Sequence, residues 1–484
     1  MNIAEPIVEN VSGHSDRAIL EIDGNLVDGV SFLSCIAARQ NQLAEIGISA
    51  GDRVLVSNNR GGDFWIDMLA VWCQGAVYAP IDDTLPFDFA ATQTEARAVL
   101  VSEGKTPQSS PPDLLYIYPP DPPAASARPE PVFREDADLS TVLFTSGSTG
   151  QPKAVGLSHR NVRSDALAIL EVLDFAEDDR LYTGIPFRFA NAHSYFVMTM
   201  LAGATFVGRE GDFMPADLIQ GLKDSKATCF GGPPIQVRWI AEAPRNSFAP
   251  LRWLMSSGDH LGESEITQMR KNRPETRVYT AYGLTELGGR FCCLPADMID
   301  RHAGSVGRPI PGFQLRLLDS DHKPVTDGDV GEVYAAGPGL MIGYLDEEEE
   351  NRSVLTEFGF RTGDLGHVDE FGLLRLVGRV DDVFKVFGQK VSGPKVREAL
   401  MSSGFFRDAA VTSVQDRLLG TVPAAFVVMK PGVAFDNGRI LKHLRQTLPA
   451  YMLPRRFCEI DTIPRTGSGK VKRGELKELA ETKP

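Results

Sequence analysis

The chain has 484 residues, 43% of them hydrophobic and 24% charged, with a net charge of −14. At roughly 100–200 residues per domain this is the composition of an ordinary soluble protein of two to four domains. The longest apolar stretch, Tyr195 to Val207, is broken by Thr and Gly and falls short of the about 20 residues that a membrane span needs. The N-terminus is acidic and has no apolar signal-peptide region. Cys35, Cys73, Cys229, Cys292, Cys293 and Cys458 form no CxxC pair and no Cys/His metal spacing, so they read as reduced, mostly buried thiols of a cytoplasmic protein.

In chain order, "FLSCIAARQNQLAEIG" has apolar residues at helical spacing and stops at Gly47. "DRVLVSNN" is a short β-branched run, "FWIDMLAVWCQG" is helical again, and "AVYAPI" is a strand. Helix and strand in alternation predict a parallel sheet covered by helices, an α/β fold. Residues 106–133, rich in Pro, Ser and Ala, read as an exposed, partly polyproline connector. Alternation resumes at Ser140 and runs to about Val278. Short strands begin at Gly331, and strand and helix signals restart after Asp381. Residues 1–380 and 381–484 are therefore expected to be separate domains. Residues 382–484 carry 18 Lys and Arg against 10 Asp and Glu. A basic segment behind an acidic body suits an anionic partner or a solvated helical surface. Nucleic acid is not expected, because there is no basic run interleaved with aromatics and no zinc or RNP signature.

The densest chemical signal is "LFTSGSTGQPKAVGLSH", residues 143–159. The strand "STVLF" leads into it. Gly147 and Gly150 permit tight turns with inward N–H groups. Thr145, Ser146, Ser148 and Thr149 add donors, and Lys153 adds a positive charge. Such a loop suits polyphosphate. It is not a Walker A loop, since Lys153 follows Pro and precedes Ala.

Six more segments come in order: "AYGLTE" (281–286), "GEVYAAGPGLMIGYL", "FRTGDL" (360–365), "GRVDDVFKVFGQKVS", "LPAYMLP" and "PRTGSGKVKR" (464–473). Together the segments resemble the adenylate-forming superfamily, which includes acyl- and aryl-CoA synthetases, luciferase and the adenylation domains of nonribosomal peptide synthetases. The resemblance runs from about residue 16 to the end. It implies a large N-terminal domain of parallel-rich αβ sheets with a small β-barrel-like part, and a small mobile α+β C-terminal domain. It also implies a two-step reaction. A carboxylic acid and ATP give acyl-AMP and pyrophosphate, and the acyl group then passes to a thiol. Because two anions must meet, the first step is mostly positioning and charge neutralisation.

By that resemblance the loop Thr145–Gly150 with Lys153 would hold the β- and γ-phosphates. Thr285 would bond the α-phosphate, and Glu286 would bind Mg²⁺. Tyr282 and Gly283 would pack by the adenine, Asp364 would accept from the ribose with Arg379 nearby, and Lys470 would counter charge during attack. Asp381 would be the hinge about which the small domain rotates, and Lys385 and Gly388 would lie on the thiol-acceptor side. The acceptor would be CoA, or alternatively the phosphopantetheine of a carrier protein. The reading from another class is a non-catalytic nucleotide-binding member, against which Lys470, Glu286 and Lys153 argue.

One wall of the acyl pocket is expected in "IPFRFANAHSYFVMTMLAGATF" (185–206). Amino-acid-activating relatives carry an Asp after a Phe here, which pairs the α-ammonium. This chain has Ala190 after Phe189, with Asn191 next. An ammonium left without that carboxylate would be desolvated and unpaired, so an α-amino acid is not the expected substrate. Phe189, Ala190, Asn191, His193, Phe230, Ser257 and Gly258 are the expected pocket residues, with Arg188 and Arg290 as polar additions. A small or aromatic acid fits best, with or without a second polar group, and a fatty acid is the alternative.

Overall fold

The computed structural model describes the chain except residues 58–60, 83–84, 103–113, 119, 121–126, 147–151, 210–213, 260, 327, 381–382, 387–388, 417–418, 466–470 and 483–484. By packing, the chain divides into two compact units: Met1–Leu315 with Ala335–Phe360, and Arg316–Tyr334 with Arg361–Pro484.

The first unit carries two sheets, and the expected alternation of helices and parallel strands is present. One sheet has nine strands, in the order Arg308–Pro309, Cys292–Leu294, Arg277–Tyr282, Trp253–Ser257, Cys229–Gly232, Arg180–Thr183, Thr205–Gly208, Ala18–Ile22, Asn25–Asp28. Its six inner strands, Arg277–Tyr282 through Ala18–Ile22, run parallel. The other has seven, in the order Gly343–Tyr344, Pro152–Ser158, Leu139–Ser146, Val77–Ile81, Arg53–Ser57, Ala98–Leu100, Leu115–Ile117. The last strand falls within 106–133. Leu115–Ile117 pairs in parallel with Ala98–Leu100, so this part of the expected connector is sheet. Its short "LYI" run was obscured by the prolines around it.

Aromatic packing closes the core. Trp65, on the helix Asp63–Cys73, stacks on Phe196, on the helix Ala190–Leu201, with centroids 4.3 Å apart and planes 6° from parallel. Such a pair contributes about 0.5–1.5 kcal/mol beyond the area it buries. Arg39 and Asp67 form a buried ion pair at 2.8 Å between the helices Gly29–Glu45 and Asp63–Cys73.

In the second unit the hairpin Phe406–Asp416/Gly420–Met429 is joined in parallel by Arg456–Glu459. Alternate residues serve two cores, as the period of 2 in a strand requires. Val411, Ala425 and Val427 pack with Leu400, Ile440 and Leu444. Ala410, Ala424 and Phe426 pack with Leu476 and Ala480. The compact division differs from a break at 381, because residues 361–380 pack within the second unit. There Ser392 Oγ donates to Val377 O at 2.9 Å, and a Cβ at Gly378 would lie 3.0 Å from Pro394.

Candidate active site

Strands Leu139–Ser146 and Pro152–Ser158 form an antiparallel hairpin with Thr145 opposite Lys153. The glycine–hydroxyl segment connects them. Gly147, Ser148, Thr149 and Gly150 lie outside the described residues, as does the side chain of Ser146. Lys153 therefore starts a strand and is fixed by it. Strand Gly343–Tyr344 pairs with the same strand, Tyr344 opposite Val155. Asn351 holds this short strand at both backbone groups of Tyr344, its Oδ1 accepting from N and its Nδ2 donating to O, each at 2.7 Å. Gly343 has φ +158°, and a Cβ there would meet the Asn351 amide at 3.1 Å, so the close approach needs glycine.

Tyr344 joins Lys153 to Glu286. Its hydroxyl donates to Glu286 Oε1 at 2.8 Å, and Lys153 Nζ lies 5.1 Å from its ring centroid. Met341 N donates to Glu286 O at 2.8 Å. Lys153 Nζ also pairs with Glu350 Oε1 at 2.5 Å. Glu286 is half-buried, and among the described residues no cation pairs with it. A carboxylate that pairs with no cation among the described residues suits Mg²⁺, which keeps few protein ligands. Among the described residues no group of three or more His, Cys, Asp or Glu could hold a metal by itself.

Thr285 begins the 3-10 turn Thr285–Leu287. Before it, Tyr282 is buried edge-on to Phe291, centroids 6.0 Å apart. Gly283 is obligatory, because a Cβ there would overlap Gly289 O. After it the chain doubles back through Gly288 (φ +82°) and Gly289 (φ +131°) to Arg290. Asp165 pins this return. Its Oδ1 accepts from Arg290 N at 2.8 Å and its Oδ2 accepts from Ser194 Oγ at 2.5 Å. Burial pushes the Asp165 carboxyl up to about 6, against Arg290 and the Ser194 hydrogen bond, which pull it down.

The helix Ala190–Leu201 starts at Phe189, whose ring lies 4.3 Å from the Arg188 guanidinium. Arg188 pairs with Asp82. Ala190 is buried. Asn191 Oδ1 accepts from Arg290 Nη1 at 2.7 Å, and its Nδ2 lies 3.4 Å from Ser257 Oγ. Arg290 stacks on Tyr195, 4.3 Å from the ring centroid. Gly258, exposed at φ +94°, has open space at its Cβ position. Asn191, Ser257, Gly258 and Arg290 are thus brought together at the carboxyl ends of parallel strands, where open α/β sheets bind ligands.

Two expected pocket residues are not brought there. His193 is two residues along the helix from Asn191. It packs among Phe64, Trp65 and Tyr78, with Nε2 3.4 Å from Tyr78 Oη, and burial pulls its pKa down to about 3. Phe230 alternates in its strand with Gly231. Gly231 lies against Tyr195, so Phe230 faces the other way and stacks with Tyr182 at 6.5 Å. In the second unit Asp364 and Arg379 are opposed across a hairpin and paired at 2.8 Å. Asp381, Gly388 and Lys470, and the side chain of Lys385, lie outside the described residues. Tyr344, Asn351, Glu350 and Asp165 were missed by sequence reasoning. Asp165 alone left a signal, a charge on the apolar stripe of Val162, Ala166 and Ile169.

A lysine on a hairpin strand and a carboxylate joined to it through a tyrosine, in an α/β unit, suit a phosphorylated ligand. The chain belongs to the AMP-binding enzyme family. That family's model matches residues 36–345, and the model of the AMP-binding enzyme C-terminal domain matches 395–470. The expected break at 381 lies in the interval that neither model covers. A methyl-dioxo-octahydro-indenyl propanoyl:CoA ligase of Mycobacterium tuberculosis is 32% identical over 348 residues, 71% of this chain and 66% of that protein's length. A feruloyl-CoA synthase of Amycolatopsis is 27% identical over 456 residues, 91% of each chain. The solved structure of ATP-bound MatB from Rhodopseudomonas palustris matches with a TM-score of 0.88 at 24% identity, over 99% of both chains. At that identity the likeness is one of fold. Among the described residues no helix is long and apolar enough to cross a membrane.

Proposed function

We propose that this chain is an AMP-forming acid–thiol ligase that activates a carboxylic acid with ATP and passes the acyl group to CoA. The observation that carries this reading is the Lys153–Tyr344–Glu286 arrangement on paired strands. Lys153 and the segment Thr145–Gly150 would receive the outer phosphates, by the resemblance. Thr285 and Glu286 would stand by the α-phosphate, and Glu286 would hold Mg²⁺, which would supply charge to offset the phosphates. Asp364 and Arg379 are assigned to the ribose hydroxyls by the resemblance. Ala190 leaves an α-ammonium without a partner, so the substrate is an acid other than an α-amino acid. The names of the Mycobacterium and Amycolatopsis relatives support CoA as the acceptor.

Two roles rest on the sequence. Lys470 counters charge while carboxylate attacks phosphate, so Lys470→Ala should abolish adenylation yet still convert supplied acyl-adenylate to thioester. Asp381 is the hinge, and Asp381→Pro, which fixes φ near about −65°, should give the reverse pattern. The test of the whole reading is pyrophosphate release over a panel of carboxylic acids, with CoA and a holo carrier protein compared as acceptors. Acid-dependent release with CoA-thioester product is expected. Release that runs to product only with the carrier would replace CoA in this reading.

A further inference from the structure

The described residues hold three arginines buried to 2% exposure or less, and they differ in how they are satisfied. Arg39 pairs with the Asp67 carboxylate. Arg273 gives Nη1 and Nη2 to the carbonyls of Arg245, Ala243 and Pro244 and stacks on Phe248. Arg290 is served least. Its Nη1 donates to Asn191 Oδ1 and, at 3.3 Å, to Gly289 O. Its Nε is buried with no hydrogen-bond partner among the described residues, as is Arg273 Nε. Among those residues no carboxylate lies within ion-pair distance. Both Asp165 oxygens are engaged, one by Ser194 and the other by Arg290's own backbone N–H. Arg188, the other arginine of this wall, has Asp82. The Asp165 carboxyl acts on the Arg290 charge without an ion-pair contact to it, and a charge-assisted hydrogen bond to an anionic oxygen is the stronger way to satisfy a buried cation.

The surroundings fit a ligand. Asn191, which accepts from the guanidinium, is partly exposed, and Gly258 is exposed. A Cβ at Gly258 would meet nothing nearer than Asn191 Nδ2, 4.0 Å away. Tyr195 flattens one face of the guanidinium, leaving its donor edge to be used in the plane.

We infer that Arg290 is a specificity residue, and that the acid this chain activates carries a second carboxylate, remote from the reacting one, which Arg290 receives with Asn191 and Ser257. This rests on the adenylation reading and names its substrate class.

The test uses two matched pairs, hexanoate with adipate and benzoate with terephthalate. ATP–pyrophosphate exchange is measured for the full chain and for Arg290→Gln and Arg290→Lys. Thermal melts are run with each acid in the absence of ATP. In at least one pair the unmodified chain should favour the dicarboxylate by tenfold or more in kcat/KM. Arg290→Gln should erase that preference, lowering kcat/KM for the dicarboxylate at least tenfold more than for its matched monocarboxylate, while Arg290→Lys should keep part of it. If Arg290→Gln does not fold, Asn191→Ala is read on the same ratio and should lower it. Preference for the monocarboxylates in both pairs, or an equal fall of both members in Arg290→Gln, overturns the inference. Exchange with none of the acids, but a melting shift by a dicarboxylate that Arg290→Gln lacks, overturns the adenylation reading and keeps this one. Neither exchange nor shift overturns this one.

Discussion

The turn from Gly283 to Arg290 separates two regions that solve opposite electrostatic problems. At the phosphate end the charges are partly exposed and provisionally paired. Lys153 sits on Glu350 and the Tyr344 ring, and Glu286 takes one hydroxyl. At the acyl end the charge is buried and underserved, with Arg290 held by an amide and an aromatic face. A highly charged ligand that brings its own metal needs a site able to exchange partners. A ligand selected by shape and one polar group needs a rigid site from which water is excluded. On the proposed function, the first region carries out the chemistry and the second selects the acid.

The comparison breaks most visibly at Glu286. Glu286→Gln keeps the Tyr344 hydrogen bond but removes the charge that Mg²⁺ requires. Adenylation should fall about a hundredfold or more with an unchanged melting temperature, and added Mg²⁺ should restore little. A loss below tenfold in pyrophosphate exchange would move the metal elsewhere.

Asp165 tests the rigid side. Its folded pKa of about 6 is raised above the unfolded value of about 3.9. Between those values the folded chain holds a proton that the unfolded chain has released, so stability falls as pH rises from about 4 to 6. Two units correspond to about 2–3 kcal/mol. Urea titrations of the unmodified chain and Asp165→Asn across that window should diverge by this amount, with the unmodified chain losing ground as pH rises. Parallel pH profiles would mean that Asp165 is not desolvated as described.

Tyr344→Phe sharpens the phosphate side. It deletes one hydrogen bond to a charged group, worth about 1.5–3 kcal/mol. Adenylation should drop about tenfold, with less effect on the melting temperature than Asn351→Ala, which frees the strand itself. The smallest change is at Glu350. Lys153 must leave it to hold a phosphate, and partly exposed pairs contribute about 0–1 kcal/mol. Glu350→Gln should therefore lower KM for ATP by up to about fivefold and leave kcat alone. A raised KM would show that Glu350 helps to hold the lysine in place.

The same contrast explains what was legible in the sequence. The phosphate end is written in consecutive residues: a strand, glycines, hydroxyls and Lys153, then Thr285 and Glu286 opening a turn. The alternating first unit was legible for the same reason, since period and punctuation are local. Tyr344 was not, because it reaches Lys153 only through the pairing of strands that are far apart in the chain. The acyl end depends on which way side chains face. Phe230 and Gly231 differ by one strand position, and His193 and Asn191 by two helical positions. Composition cannot tell the crevice side from the core side, whereas strand alternation and the Trp65 cluster do. Leu115–Ile117 was hidden because its neighbours' prolines outweighed three apolar residues whose strand character comes from pairing with Ala98–Leu100.

If Lys153, Tyr344 and Glu286 form the phosphate end of a site that couples ATP to a carboxylate, phosphorus-31 NMR of ATP incubated with the chain, Mg²⁺ and a carboxylic acid panel will show it. AMP and pyrophosphate should appear only when an accepted acid is present, and neither signal should appear with Glu286→Gln. ADP and inorganic phosphate as products, or AMP formed at the same rate without any acid, would contradict it.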